Sequence, residues 1–250
     1  MSYQRIIENF EKNVSSIEKL IVIDEFILDS TIDALEKRQG ALEASGIENA
    51  GMLGSNTIQS LKNIRKNKSL KPLYRLVYNQ SVVLMVSYFS SSLHDLFDFA
   101  VTETYTNGVP KKATDKELRF SLEELSILNF DLTASIGSVI SKKHNVSFQD
   151  MASVRRAFKD YLGIEINRDR TVNNIIVMQA CRHAIAHAEQ ICDDKLLNQI
   201  RDCGDRDIQK ELKRNQEIQF NPMEIDVGSA AMKTYVANLV DQLNEKQKNA

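Results

Sequence analysis

The chain has 250 residues, 42% hydrophobic and 26% charged, with a net charge of −2 at pH 7 and no tryptophan. That length and composition fit a globular protein of one large domain, or one domain with an extension. They do not announce a nucleic-acid binder by bulk charge, and no run approaches the 18 apolar residues of a membrane span.

Three prolines and nine glycines are few for this length and favour long helices. Three cysteines, with no Cys-x-x-Cys pair, read as small buried side chains in a reducing compartment rather than zinc ligands. The polar N-terminus, MSYQRIIENFEKN, is unlike a secretion signal, so a cytoplasmic protein is expected.

Residues 3–39 read as one long helix or two. Ile6, Phe10, Val14, Ile17 and Ile21 form a helical stripe that Phe26, Ile27 and Leu35 extend. This stretch is acidic: residues 1–50 hold ten acids and five bases, net −5. Gly40, Gly46, Gly51 and Gly54 then punctuate a loop.

Residues 56–68 form a short basic helix that ends before Pro72. Within 55–80 stand Lys62, Arg65, Lys66, Lys68, Lys71 and Arg75 with no acid, net +6. Such a block can track a phosphate backbone, with Lys62, Arg65, Lys66 and Lys68 as substrate-binding candidates. The alternative is a basic helix pairing with the acidic one before it.

Residues 73–103 form a strongly apolar, central helix. TNGVPKKA (106–113) is a turn or loop. Thr114-Asp115-Lys116-Glu117 is a capping-box start for a helix over 115–128. Ser147-Phe148-Gln149-Asp150 repeats that pattern less strictly and opens a helix that Gly163 stops. Arg155, Arg156, Arg168 and Arg170 form a second basic group, of which Arg155 and Arg156 are candidates for contacting RNA.

From Thr171 to Ile191 the period is helical. Val177, Cys181, Ala184, Ile185, Ala188, Ile191 and Cys192 form one stripe roughly 120° wide. Cys181, Cys192 and Cys203 would share one face if the helix were continuous; a break near Cys192-Asp193-Asp194, a resumption to Asp202 and a stop at Gly204 are expected. Within this helix stands Arg182-His183-Ala184-Ile185-Ala186-His187, holding two of the four histidines. Arg182 lies about 120° to one side of the apolar stripe, and His187 about 100° and His183 about 140° to the other. Gln179, Ala186 and Gln190 share that outer arc. The bland reading of this arc is a solvated helix face.

The chemical reading is RNA cleavage. RNA carries its own nucleophile, the 2′-hydroxyl. An enzyme must then take that proton, stabilise the crowded phosphate and protonate the leaving 5′-oxygen. A histidine titrates in the range that serves either proton transfer, and an arginine offers planar donors to developing phosphate charge. His187 is the expected general base or acid, Arg182 the charge stabiliser, and His183 a phosphate-positioning or proton-transfer residue. The expected products are a 2′,3′-cyclic phosphate and a 5′-hydroxyl, with no metal and no cofactor required.

Finally, EIQF (217–220) and MEIDV (223–227), flanking Asn221-Pro222, predict a small β-hairpin. A last helix over 229–245 closes the chain.

The stretch ACRHAIAHAEQ resembles the signature of the HEPN superfamily (higher eukaryotes and prokaryotes nucleotide-binding): an arginine, usually a polar residue after it, then a histidine, with four to six residues between. Arg182 and His187 match with four between, and His183 stands where asparagine is most frequent. YNQSVVLMVSYFSSSLHDLFDF is similar to the early core helix of such domains, and EIQFNPMEIDVGSAAMKTYVANLVDQL to their closing segment, so the resemblance covers about residues 73–245. In one respect the chain departs: many members carry an acidic residue midway along the early helix, where this chain has Ser90-Ser91-Ser92.

The resemblance implies a mainly all-α, HEPN-like helical bundle over residues 56–250, preceded by an N-terminal helical extension over 1–55. It implies a homodimer with opposed motif helices, acting as a metal-independent endoribonuclease on tRNA or mRNA in toxin–antitoxin or anti-phage defence, with an antitoxin or activator protein as a further partner. Other members have lost catalysis and serve as RNA-, nucleotide- or protein-binding modules. A helical interaction protein, docking a partner through the acidic N-terminal helix, is a third reading of the residues.

Overall fold

The computed structural model describes residues 2–46, 50–67, 71–106, 118–133 and 135–248. These form nine helices: α1 (Tyr3–Ala44), α2 (Ala50–Asn67), α3 (Lys71–Thr106), α4 (Leu122–Ile127), α5 (Ile136–Lys143), α6 (Met151–Leu162), α7 (Arg170–His187), α8 (Asp194–Ile200) and α9 (Pro222–Lys248). The fold is all-α. Among the described residues there is no strand beyond one isolated antiparallel bridge, Ile191 to Glu217. No helix among them is long and apolar enough to cross a membrane.

Helix α3 is the axis of the bundle and packs against α1, α5, α6, α7 and α9. Its sequence is apolar around most of its circumference, which suits a helix enclosed by others. Val82, Met85, Val86, Phe89, Leu93, Leu96, Phe97 and Val101 are buried. Aromatic contacts knit the layers: Phe89 packs on Phe10 of α1 and edge-on to Tyr235 of α9, and Phe97 meets Phe148, Phe158 and Tyr161. Phe10 on Phe89 and Tyr3 on Phe99 set α1 antiparallel to α3.

The first half of α1 belongs to this core through Tyr3, Ile6, Phe10, Val14, Ile17 and Ile21. The expected extension of that stripe fails, because Phe26 and Ile27 are 70% and 52% exposed. Beyond Ile21 the helix stops following α3 and packs on α2, burying Ile32 against a different neighbour. Helix α2 packs on α1 and on no other helix among the described residues. The expected glycine loop is also shorter. Gly40, Gly51 and Gly54 lie within helices, and Gly46 takes the left-handed turn that ends α1 (φ +69°).

Residues 107–117, including the Thr114–Glu117 capping box, lie outside the described residues. Residues 118–121 are not helical, so no helix runs continuously over 115–128. The capping box that does form is Ser121 with Glu124, at the start of the single-turn α4. Gly163 ends α6 in the left-handed conformation, as its sequence position predicts.

The expected β-hairpin at 217–227 is replaced by a helix start. Asn221 Oδ1 accepts from the Glu224 backbone N–H, and Glu224 Oε2 accepts in return from the Asn221 backbone N–H. With Pro222 at the first helical position, Asn-Pro-Met-Glu is a capping box, and α9 begins seven residues before the expected 229. The extended half, 217–220, pairs instead with the chain leaving α7: Ile218 N–H donates to Gln190 O, and Cys192 N–H to Gln216 O. Helix α9 then lies close on α7, with Gly228 facing Met178 at a distance that leaves no room for a β-carbon.

Candidate functional site

The motif occupies the C-terminal turns of α7, a helix buried around most of its girth. Asp169 caps its start by accepting from Val172 N–H. Two buried asparagines anchor the first turns: Asn173 accepts from Arg168 Nε and donates to Asp205 O, and Asn174 accepts from Asp207 N–H. Arg168 and Arg170, part of the second basic group, are thereby structural. Arg168 serves Asn173, and Arg170 pairs with Asp205 and Asp207.

The helix ends at His187, four residues before the end of the predicted period. Glu189 and Gln190 both adopt left-handed backbone (φ +51° and +64°), conformations that cost non-glycine residues about 1 kcal/mol or more each. The turn is held from both sides. Asn79 of α3, itself buried, donates to Gln190 Oε1 and to Ile218 O. Asp193 then caps α8 by accepting from Leu196 N–H. All three cysteines are buried although they do not share one helix.

This turn leaves His187 exposed at a helix end and brings α8 against the motif. The His183 and His187 rings lie 5.0 Å apart, centroid to centroid. Lys195 of α8 places Nζ 2.9 Å from His183 Nε2. A lysine ammonium only donates, so Nε2 accepts and the His183 proton sits on Nδ1. Burial, with the charges of Lys195, His187 and Arg182, holds His183 below the ordinary imidazole range, and Asp193 opposes the shift. His183 is therefore a neutral acceptor at pH 7.

Arg182 sits on the neighbouring flank, half-buried. Its Nη1 donates to Gln149 Oε1, 3.2 Å away in the turn before α6. Its Nε is buried without a hydrogen-bond partner among the described residues. One residue back in the chain, Phe148 stacks on His94 of α3, whose Nε2 lies 3.4 Å from Asp98 Oδ2. Gln179, expected on the outer arc, is buried instead, and both amide atoms lack partners among the described residues. One turn before the motif, α7 is still enclosed by its neighbours, so its polar arc opens only from Arg182 onward. Ser90, at the position of departure from the family pattern, is also buried, its hydroxyl without a partner among the described residues.

Three participants escape sequence reasoning. Lys195 lies 12 residues from His183, across the turn between α7 and α8, with no periodicity to link them. Gln149 comes from the turn before α6, and His94 from α3. The basic candidates separate likewise. Lys62 and Arg65 pair with Glu36 (2.5 Å) and Asp29 (2.7 Å) of α1, and Lys66 is exposed. Lys68 lies outside the described residues. Arg155 donates through Nε to Ile166 O, and Arg156 is exposed. No group of three His, Cys, Asp or Glu among the described residues is placed to hold a metal ion.

Compared with known protein families, with curated proteins and with solved structures, the chain matches none.

Proposed function

We propose that the protein is a metal-independent endoribonuclease whose site is the exposed end of α7. One observation carries the reading: two imidazoles 5.0 Å apart, flanked by Arg182 and by Lys195. His187, exposed and free to meet solvent-borne RNA, exchanges protons with the 2′-hydroxyl or the leaving 5′-oxygen. His183, neutral and held at Nε2 by Lys195, has its Nδ1–H left to donate to a phosphate oxygen and so positions the phosphate. Arg182 and Lys195 supply the cationic field for the phosphorane. The bond formed is 2′-oxygen to phosphorus, the bond broken is phosphorus to 5′-oxygen, and the proton lost at the 2′-oxygen is balanced by one gained at the 5′-oxygen.

The substrate is RNA, read as tRNA or mRNA, and a HEPN-like homodimer with opposed motif faces would double this small set of groups into one cleft. Arg155 and Arg156 remain the candidates for backbone contact outside the site, with Lys66 on α2. Lys62 and Arg65 would have to exchange their carboxylate partners for phosphate. An antitoxin or activator would restrain such an enzyme in the cell.

The buried Ser90, in the Ser90–Ser92 stretch where an acid is frequent, favours a second reading, a non-catalytic dimer that binds RNA, a nucleotide or a protein. Incubation of total RNA with wild type and His187→Ala in EDTA separates the two. The nuclease reading expects discrete fragments with 2′,3′-cyclic phosphate ends from wild type and at least a 100-fold loss in the variant, the scale of general acid–base catalysis. RNA binding by both proteins without cleavage by either supports the binding module.

A further inference from the structure

At the opposite end of α7 a cleft of about 180 Å³ opens between the α6–α7 connection and α9, lined in part by Ile166, Asn167, Val172, Leu239, Asn238 and Gln242. Its buried wall carries Tyr235, which is 5% exposed, and whose hydroxyl has no hydrogen-bond partner among the described residues. Nearly all buried hydroxyls in folded proteins are satisfied, so an orphan on a residue in the wall of a cleft points to a partner that is not protein.

The remaining chemistry narrows that partner. Of the two lining carboxylates, Glu165 pairs with Lys159 at 2.7 Å, and Asp169 accepts from Val172 N–H through Oδ1. Among the described residues no lysine or arginine lines the cleft. Beside Asp169 it presents three carboxamides, each a donor beside an acceptor, the hydroxyls of Thr171 and Tyr235, and an apolar wall of Ile166, Val172 and Leu239. Burial keeps the Tyr235 phenol protonated, so it donates. The volume is below the roughly 300–1,000 Å³ of sites for drug-sized ligands and suits one flat ring system.

We propose that this cleft binds a single nucleobase by its hydrogen-bonding edge, through the Tyr235 hydroxyl and the carboxamides of Asn167, Asn238 and Gln242. As a reader of RNA sequence it rests on the ribonuclease reading above. The path between the two places exists: α6 begins beside Gln149, which holds Arg182, and carries Arg155, which holds the carbonyl of Ile166 in the cleft wall. From Thr171 to Arg182 is 11 residues of helix, about 16 Å. At roughly 3.4 Å per stacked nucleotide, the base read lies up to about five nucleotides from the cleaved phosphate.

The test uses the full chain, labelled with nitrogen-15, titrated with each of the four ribonucleosides to millimolar concentration. Nucleosides contain no phosphate to cleave, so the outcome is independent of catalysis, and His187→Ala protein must give the same result. At least one nucleoside is expected to shift the side-chain amides of Asn238 and Gln242. Tyr235→Phe, which keeps the ring against Phe89, should weaken its binding about 3- to 10-fold. Asn238→Ala, at an exposed position, serves as the second variant should Tyr235→Phe disturb folding. A homopolymer of the preferred base binding more tightly than its nucleoside assigns the site to RNA, and equal affinity assigns it to the free nucleoside. No amide shift with any nucleoside, or shifts indifferent to both substitutions, overturns the proposal.

Discussion

Replacing Glu224 by alanine tests the least expected feature of the fold, the start of α9 at Pro222. The carboxylate closes the capping box with Asn221. It also accepts from the Gln209 backbone N–H at 2.8 Å and from Gln209 Nε2, so it pins the 203–212 connection to the first turn of α9. Hydrogen bonds to a charged group contribute about 1.5–3 kcal/mol each. The Asn221 contacts are long (3.3 and 3.0 Å) and the residue is half-buried, so the lower end of that range applies to each of the two backbone bonds, and the expected loss is about 2–4 kcal/mol. For a chain of this size that lowers Tm by roughly 4–16 °C. Thermal unfolding followed by circular dichroism gives the answer. Asn221→Ser, which keeps a side-chain oxygen for the Glu224 N–H and sets no second carboxylate against Glu224, should melt within about 2 °C of wild type. Should Glu224→Ala do the same, α9 does not begin with this box, and the hairpin predicted for 217–227 returns to consideration.

Gly228→Ala sets two effects against each other. Alanine favours a helix over glycine by about 1 kcal/mol, but its β-carbon would overlap Met178 Sδ in the core. The steric effect is expected to win, with a net loss of about 1–3 kcal/mol by chemical denaturation, and a neutral or stabilised variant would mean that α7 and α9 part freely. Lys195→Met should raise the His183 pKa toward, but not to, the ordinary imidazole value. It removes one cation and one hydrogen bond to the neutral ring while leaving the burial that comes first among the causes. Because folded His183 holds its proton less well than the unfolded chain, its contribution to stability is intact above the ordinary imidazole pKa of about 6.5 and falls as the pH drops below it. In Lys195→Met that fall should be smaller. Imidazole titration by NMR reads the shift directly, and an unchanged or lowered pKa would show that Lys195 does not govern the ring.

What could be read from the chain alone was whatever depends on neighbours in sequence. The apolar period of residues 73–103, the stripe from Ile6 to Ile21 and the Gly163 stop are local patterns, because a helix brings i, i+3 and i+4 to one face whatever surrounds it. The placement of His183 beside His187 follows from the same rule. Asn221-Pro222 was legible too, but the same four residues satisfy a turn and a helix cap, and only the return bond from Glu224 distinguishes them.

Everything that depends on which surface a helix meets was decided by the tertiary structure. Gln179 lies on a polar arc by angle and is buried by position. Phe26 and Ile27 continue an apolar stripe but lie beyond the part of α3 that covers it. Lys62 and Arg65 form a basic block in sequence and ion pairs in space. Lys195, Gln149 and Tyr235 acquire their roles only when α8, the turn before α6, and α9 are folded against α7. Periodicity specifies the face of a helix, whereas the partner of that face is set by packing between segments far apart in the chain, which no local spacing encodes.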